Sequence, residues 1–515
     1  MAGYKGKYIR TYIWSGLSML LNFLSMFIVA PLTTSMPEAY GVYSLCISFN
    51  IFIQYADLGF INAGRKYAAE AFANEDSTKE KKYVGTALYI YSIMSVVLFL
   101  IALVFSVFPG YLIRGIGNSE YYGLAQQLLL ILSFTFLFSI IKQFVSLIYS
   151  IRIEEYKIQS IQIVGSIIKI ASVPLYFFNE KYDILGYYLF CELINLFTSI
   201  YLLYHSKEIG YGLKEFLKIF KFDKEIFAEI KALALSGFVS VIGWVAYFEL
   251  DTVGISVLLG ANAVAIYAVG KQMQNFIRSL VGICFSPYRV RINYYIGQKD
   301  LSGLKSFYYR LTEEFCFIII PIIVLVLYAK PFILSWVGED YLDSSFIMQL
   351  LVLTFIINHI TSQGSSVIYG LNKINDILKI AIIQPLFFWI GVSLTYKVLG
   401  VESFAIFKLA ACLLIEFYYC YLTRKYLYYN KTEFYWHLLA KPLLIIIITT
   451  VLFWLFTDPL LSAVTKGHKD LLYVVFIMAG CCVFSLSILF CFNKPLRQET
   501  VGVLKSASKF VSNIK

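Results

Sequence analysis

The chain has 515 residues, 59% of them hydrophobic and 15% charged, with a mean hydropathy of +0.73 and a formal net charge of +11. Soluble domains carry about 25% charged residues, so an ordinary soluble protein is excluded. Apolar windows of about 20 residues recur along the whole length without strand-like alternation, which gives an all-α polytopic membrane protein and not a barrel.

In chain order, Met1–Arg10 is basic, and the apolar run after it is a full span without a small-residue cleavage pattern. The first helix is therefore expected to be retained. About fourteen transmembrane helices are expected, at 11–31, 39–63, 84–109, 121–148, 158–178, 183–204, 233–258, 262–288, 312–334, 346–369, 377–396, 402–422, 441–457 and 470–491. Lysine and arginine concentrate on one side of these spans. The other side holds Arg114, Lys181, Lys330, Lys397, Lys466 and Lys469. The positive-inside rule then puts both termini in the cytoplasm. It also accounts for most of the net charge without a nucleic-acid partner. Arg65-Lys66 is first of all the cytoplasmic anchor of the second span.

The longest inside loop divides the chain. Residues 1–204 form an N-terminal bundle of six spans, 205–232 a cytoplasmic linker, and 233–422 a C-terminal bundle of six. A helix pair at 423–491 and a cytoplasmic tail at 492–515 follow. In the linker, "LKEFLKIFKFDKEIF" sets Leu213, Phe216, Leu217 and Phe220 at i, i+3, i+4 and i+7 among lysines, the pattern of an amphipathic helix on the inner leaflet. The nine cysteines lie in or beside apolar spans without a CxxC, and the four histidines are scattered. Neither a disulfide framework nor a metal cluster is expected.

The two halves look alike. "WSGLSMLLNF" at Trp14 resembles "LSGFVSVIGW" at Leu235. "AYGVYSL" at 39–45 resembles "VAIYAVG" at 264–270, which sets Tyr43 on Tyr267 and, at that offset of 224, Arg65 on Arg289. "LIYSIRIEEYKI" resembles "VIYGLNKINDIL", which sets Tyr149 on Tyr369. These matches predict two pseudo-symmetric six-helix bundles, repeated in parallel about an axis along the membrane normal.

"MPEAYGVYSL" followed by "ADLGFINAGRKYAAE" resembles the bacterial polysaccharide flippases. These export O-antigen and capsule repeat units and are relatives of the multidrug-exporter and lipid II flippase group. The resemblance covers residues 5–425 as topology and is sharpest at 36–70. It implies two bundles around a central cavity. It also implies passage of an undecaprenyl-pyrophosphate-linked oligosaccharide from the inner to the outer leaflet of the bacterial cytoplasmic membrane. Membrane lipids, and other membrane proteins of polysaccharide assembly, are the implied partners.

An ionisable group at the bilayer centre costs about 2.5–3.5 kcal/mol on insertion scales, so it marks a wet cavity or a partner. In the eighth span Lys271, Asn275 and Arg278 sit at i, i+4 and i+7 on one face. Its repeat mate, the second span, carries Asn50, Gln54 and Asp57 at the same spacing. Both stripes are assigned to the face between the bundles, with Arg65 and Arg289 at the inner mouth; structural pairing between helices is the alternative. The seventh span adds Glu249 and Asp251. With the turn near Gly260, Glu249 and Lys271 are equidistant from the outer end, near mid-membrane. They either form an ion pair or exchange partners when a substrate phosphate takes Lys271. Asp57, Glu249 and Asp251 are the candidates for coupling to proton or sodium entry.

Lys169 and Lys408 either line the cavity or pair with Glu192 and Glu416. Lys142 and Lys379 are expected to snorkel. His359 either titrates or packs through a hydrogen bond, the latter being favoured. Pro174, Pro321 and Pro385 are expected to kink their helices.

The sequence has no GxxxxGK[ST], HExxH or Ser-His-Asp signature, and its outer loops are short. A transporter without a cofactor, driven by an ion gradient or by trapping of product, is preferred to an enzyme. A multidrug exporter of related fold is the nearest alternative, held back by the two cations of the eighth span. A membrane polymerase or ligase of lipid-linked sugars is the alternative of another class.

Overall fold

The computed structural model describes residues 2–55, 59–179, 181–494 and 496–497, which are helical with no strand among them. The chain divides into two compact units, Met1–Ala268 and Val269–Lys515.

The first unit contains α1 (Ala2–Thr33), α2 (Pro37–Tyr55), α3 (Phe60–Ala73), α4 (Ser77–Val107) and α5 (Tyr122–Ile151). It continues through α6 (Glu155–Phe177), α7 (Ile184–His205), α8 (Leu213–Ile219), α9 (Lys224–Phe248) and α10 (Leu250–Leu259) to the start of α11 (Ala261–Gly297). Helix α4 packs on α3 and α5, α6 on α1 and α7, and α2 on α5. Serines and threonines inside these helices turn their hydroxyls onto their own backbone, as Ser133 does to the Leu130 carbonyl at 2.6 Å. Such hydroxyls need no water in the apolar layer.

The second unit holds the rest of α11, then α12 (Leu301–Glu314), α13 (Ile319–Leu327), α14 (Ala329–Trp336), α15 (Asp343–Leu353) and α16 (Asn358–Gly370). Helices α17 (Ile374–Leu399), α18 (Glu402–Tyr426), α19 (Lys441–Thr457) and α20 (His468–Phe492) complete it. Helix α18 packs on α15, α16 and α17, while α19 and α20 pair and cover α13.

Among the described residues nine helices are long and apolar enough to cross a membrane, or twelve if three bent pairs each count as one span. Fourteen were expected. The other two are 39–63, which includes residues outside the described ones, and 262–288, whose polar stripe dilutes its apolar character. The first of these is divided between α2 and α3, with Gly59 at φ +87° heading α3. The second is α11, an unbroken helix of 37 residues. At 1.5 Å per residue it extends about 55 Å, well beyond the hydrocarbon layer of about 30 Å.

The bent pairs break by 43° between Phe248 and Leu250, by 68° between Leu327 and Ala329, and by 46° between Leu353 and Asn358. Pro174 and Pro385 lie inside the continuous helices α6 and α17, and Pro321 inside α13. The sharp bends are therefore set elsewhere, at Glu249, Tyr328 and residues 354–357.

The offset of 224 also relates two helix-ending turns. After α3, Glu75 takes φ +60° and Asp76 N–H reaches back to the Ala71 carbonyl at 3.0 Å. After α11, Lys299 takes φ +59° and Asp300 N–H reaches the Tyr295 carbonyl at 3.1 Å. Both turns close a helix through a left-handed residue, and they are separated by the offset of 224 that also relates Arg65 to Arg289.

The linker binds its own unit. Within it a short helical turn spans Ser206–Ile209, α8 covers Leu213–Ile219, and α9 begins at Lys224. Phe216 meets Phe144 with ring centroids 4.9 Å apart, and Phe220 meets Tyr89 at 5.8 Å. A Cβ on Gly85 would stand 1.9 Å from the Ile219 carbonyl oxygen, so glycine is what lets the linker lie against α4. Leu213 and Leu217, from the same predicted apolar face, remain exposed.

Candidate functional site

Among the described residues, each unit gathers polar side chains around a cavity. In the second, α11 buries Met273, Ile277 and Val281, an apolar face at four-residue spacing. Gly270 lets this helix lie close to α15, where an added Cβ would be 3.0 Å from Met348 N. Beside the apolar face runs the polar stripe. Lys271 is buried, Asn275 and Arg278 are half-buried, and Arg278 Nη2 donates to Asn275 Oδ1 at 2.8 Å. Eighteen residues separate Lys271 from Arg289, which is five turns at 3.6 residues per turn. Lys271, Arg278 and Arg289 therefore share one face over about 27 Å.

At Arg289 the stripe opens into a cavity of about 300 Å³, lined by Arg289 and Asn293 of α11 and by Ser365, Ser366 and Tyr369 of α16. Both serine hydroxyls donate to the Ser362 carbonyl, at 2.8 and 3.1 Å. Their lone pairs are left to accept from a hydroxylated ligand, while the guanidinium supplies donors for an anion. Sequence reasoning found Arg289 but missed the two serines. The signal was the run "TSQGSS" within an apolar span.

In the first unit a hydrogen-bonded chain crosses three helices. Asn50 of α2 donates to Glu192 Oε1 of α7 at 3.1 Å, and Asn195 donates to Glu192 Oε2 at 3.2 Å. Lys169 of α6 donates to Asn195 Oδ1 at 2.5 Å. Asn50, Glu192 and Asn195 border a cavity of about 220 Å³ that Lys142, Gln143 and Ser139 also line. Lys169 thus meets Glu192 through an asparagine. Lys142, expected at the inner surface, faces this cavity.

The remaining candidates are dispersed. Asp57 lies outside the described residues, as does the Gln54 side chain. Arg65 is half-buried in the first two turns of α3. Glu249 is buried at the bend between α9 and α10, and Asp251 follows in the first turn of α10. Asp251 accepts from Tyr267 Oη at 2.6 Å and from Thr252 N at 2.7 Å. Glu249 belongs to the first unit and Lys271 to the second, and the turn foreseen between them is made at Gly260, with φ +91°.

In the second unit Lys408 is fully buried on α18, and Glu416 accepts from Asn358 Nδ2 at 3.4 Å. His359 is buried with Nε2 3.1 Å from the Leu438 carbonyl, a packing arrangement. Among the described residues no group of three or more histidine, cysteine or acidic side chains is placed to hold a metal, and the nine cysteines are free thiols.

These features define a multi-pass helical membrane protein with cations, amides and carboxylates built into its bundles. The chain belongs to the polysaccharide biosynthesis protein family, whose model matches residues 9–292. Its fold is that of the lipid II flippase MurJ in an inward closed conformation, with a TM-score of 0.66 at 16% identity, covering 94% of this chain and 99% of that one. An inward-facing multidrug resistance MATE family transporter of the MOP superfamily matches with a TM-score of 0.62 at 15% identity, over 80% of this chain and 94% of that one. A MOP superfamily transporter from Pyrococcus furiosus, described by a reversed polarity of its binding pocket, matches at 0.55 and 14% identity, over 83% and 97%. No curated protein sequence matches the chain.

Proposed function

We propose that this protein flips an undecaprenyl-pyrophosphate-linked oligosaccharide repeat unit from the inner to the outer leaflet by alternating access. The observation that carries the reading is the cation stripe of α11, in a chain of the polysaccharide biosynthesis family. A pyrophosphate head does not cross hydrocarbon unaided. Lys271, Arg278 and Arg289 supply positive charge along about the depth of the hydrocarbon layer. The Arg289 cavity sets guanidinium donors beside the acceptors of Ser365 and Ser366, a pairing suited to a phosphorylated sugar. Asn50, Gln54 and Arg65 are assigned to the same cargo from the repeat mate of α11.

The cargo is of the O-antigen or capsule class, and the protein lies in the bacterial cytoplasmic membrane with both termini inside. Asp57, Glu249 and Asp251 couple the cycle to a proton or sodium gradient, worth about 2.3 kcal/mol per charge per 100 mV.

The test is a cell whose polysaccharide export depends on this chain. Loss of function leaves single lipid-linked repeat units on the inner leaflet, whereas loss of a polymerase leaves them outside. Arg278→Ala and Lys271→Ala should reproduce the inner accumulation with normal membrane insertion. Normal export by both variants removes the stripe from the mechanism. Collapse of the proton or sodium gradient, applied separately, identifies the coupling ion.

A further inference from the structure

Away from these two cavities, the first unit has a cleft of about 730 Å³ where the start of α4 meets the linker. Its volume falls in the range of about 300–1,000 Å³ that small-molecule sites occupy. Lys81 and Lys82 line it from α4, and Lys218, Lys221 and Lys224 from the linker, against Asp223 and Glu225. Two ion pairs hold its walls together. Lys82 meets Asp223 at 3.1 Å and Lys81 meets Glu215 at 3.3 Å. Lys221 and Lys224 are exposed and have no ion pair among the described residues, so the preformed cleft keeps positive charge free for a ligand.

The surroundings identify the side from which that ligand comes. Helix α4, Ser77–Val107, is apolar enough to cross a membrane, so its Ser77 end marks a bilayer surface. Phe222 lines the cleft and is exposed, and Leu213 and Leu217 of the same linker are 57% and 66% exposed. Apolar side chains beside a basic pocket at a membrane boundary fit acyl chains next to a phosphate head. A soluble anion would have no use for them. We infer that the cleft between the start of α4 and the linker binds the headgroup of an anionic phospholipid, and through it ties the linker to α4.

The experiment uses the full chain in nanodiscs of phosphatidylglycerol and phosphatidylcholine in equal parts, with retained lipid read by native mass spectrometry. The wild type should retain phosphatidylglycerol preferentially. Each lysine at an anionic surface is worth roughly a five-fold change. Lys221→Gln with Lys224→Gln should thus weaken the preference roughly ten- to thirty-fold, while Lys299→Gln leaves it unchanged. Equal retention of the two lipids, or a double variant like the wild type, overturns the assignment. Hydrogen exchange over residues 213–224 separates the sources of phosphate. Phosphatidylglycerol should slow it and inorganic phosphate in a phosphatidylcholine disc should not. Equal protection by inorganic phosphate would make this a soluble-anion site and overturn the lipid reading.

Discussion

Asp76 and Asp300, 224 residues apart, cap helices in the same way. The Asp76 carboxylate accepts from Lys79 N at 2.9 Å at the head of α4, and Asp300 accepts from Gly303 N at 2.8 Å at the head of α12. Each follows a non-glycine residue at positive φ. The same left-handed turn also follows α5, α16 and α18, at Ile153, Asn372 and Tyr428, so what sets Asp76 and Asp300 apart is their offset of 224 together with the aspartate cap. Alanine at either position should lower the melting midpoint by about 1–2 °C, and asparagine should be tolerated. Backbone hydrogen bonding from Gly303, then the Ser302 hydroxyl, holds the Asp300 carboxyl below its ordinary value of 3.8. A depressed folded-state pKa means the contribution is complete above the unfolded value and disappears as pH falls through the folded one. The wild type should therefore lose this cap only in strong acid, and Asp300→Asn should be flat there. Thermal melts at graded pH decide it.

The stripe on α11 predicts a graded series. Arg289 is exposed and lines its cavity, whereas Lys271 is buried in the helix packing. Arg289→Ala should impair flipping with little change in stability. Lys271→Ala should impair both. Arg289→Lys should recover only part of the activity, because an ammonium lacks the planar fork that grips a phosphate with two donors. Inner-leaflet accumulation of lipid-linked repeat units, set beside thermal stability, separates the two effects. Full activity of Arg289→Ala would remove that residue from the cargo path.

The sequence revealed most where the bilayer is the judge. Apolar length located the spans, because backbone polar groups in hydrocarbon leave only helices as a solution. The turn at Gly260, the offset of 224 and the spacing on α11 were legible for the same reason: each is a local rule. The partners were not. Glu192 was matched with Lys169, but the contact runs through Asn195, which belongs to the helix of Glu192. Depth alone places Asp251 among the coupling acids, and its hydrogen bonds from Tyr267 and Thr252 could not be read from the sequence. Neither pattern can be read from spacing along one helix, because the deciding atoms lie across a packing interface. Pro174, Pro321 and Pro385 each lie within a single helix. The sharp bends fall at Glu249 and at Tyr328, the latter three residues before Pro331, which has no N–H for the Leu327 carbonyl.

The chain from Asn50 to Lys169 predicts coupling between its members. Removing Glu192 leaves the amides of Asn50 and Asn195 without an acceptor, at a cost of about 1–3 kcal/mol. Lys169→Met leaves Asn195 and Glu192 without their cation. The double variant Lys169→Met with Glu192→Leu should be more stable than the sum of the single changes implies, because it removes both charges together. Strict additivity in thermal unfolding would show that the lysine and the glutamate do not act through Asn195.

The linker is held by a clamp that sequence reading did not foresee. Arg152, at the end of α5, meets Glu80 of α4 at 2.9 Å, and Tyr211 Oη donates to the same carboxylate at 2.8 Å. Both charged side chains are nearly buried, and the guanidinium lies 4.7 Å from the Phe72 ring centroid and 5.1 Å from that of Tyr211. Burial, then the neighbouring carboxylate, pushes the Tyr211 hydroxyl well above its ordinary range, so it stays a donor throughout physiological pH. Arg152→Ala strands a buried carboxylate and should cost about 3–5 kcal/mol, against about 1–3 kcal/mol for Tyr211→Phe. Arg152→Lys should fail to compensate, because an ammonium cannot spread over two rings while forking to the acid. Glu80→Gln with Arg152→Met removes both charges and should recover part of the loss. Limited proteolysis within 206–223 reads the result directly. Wild-type resistance in Arg152→Ala would mean that the linker is held by its aromatic contacts alone.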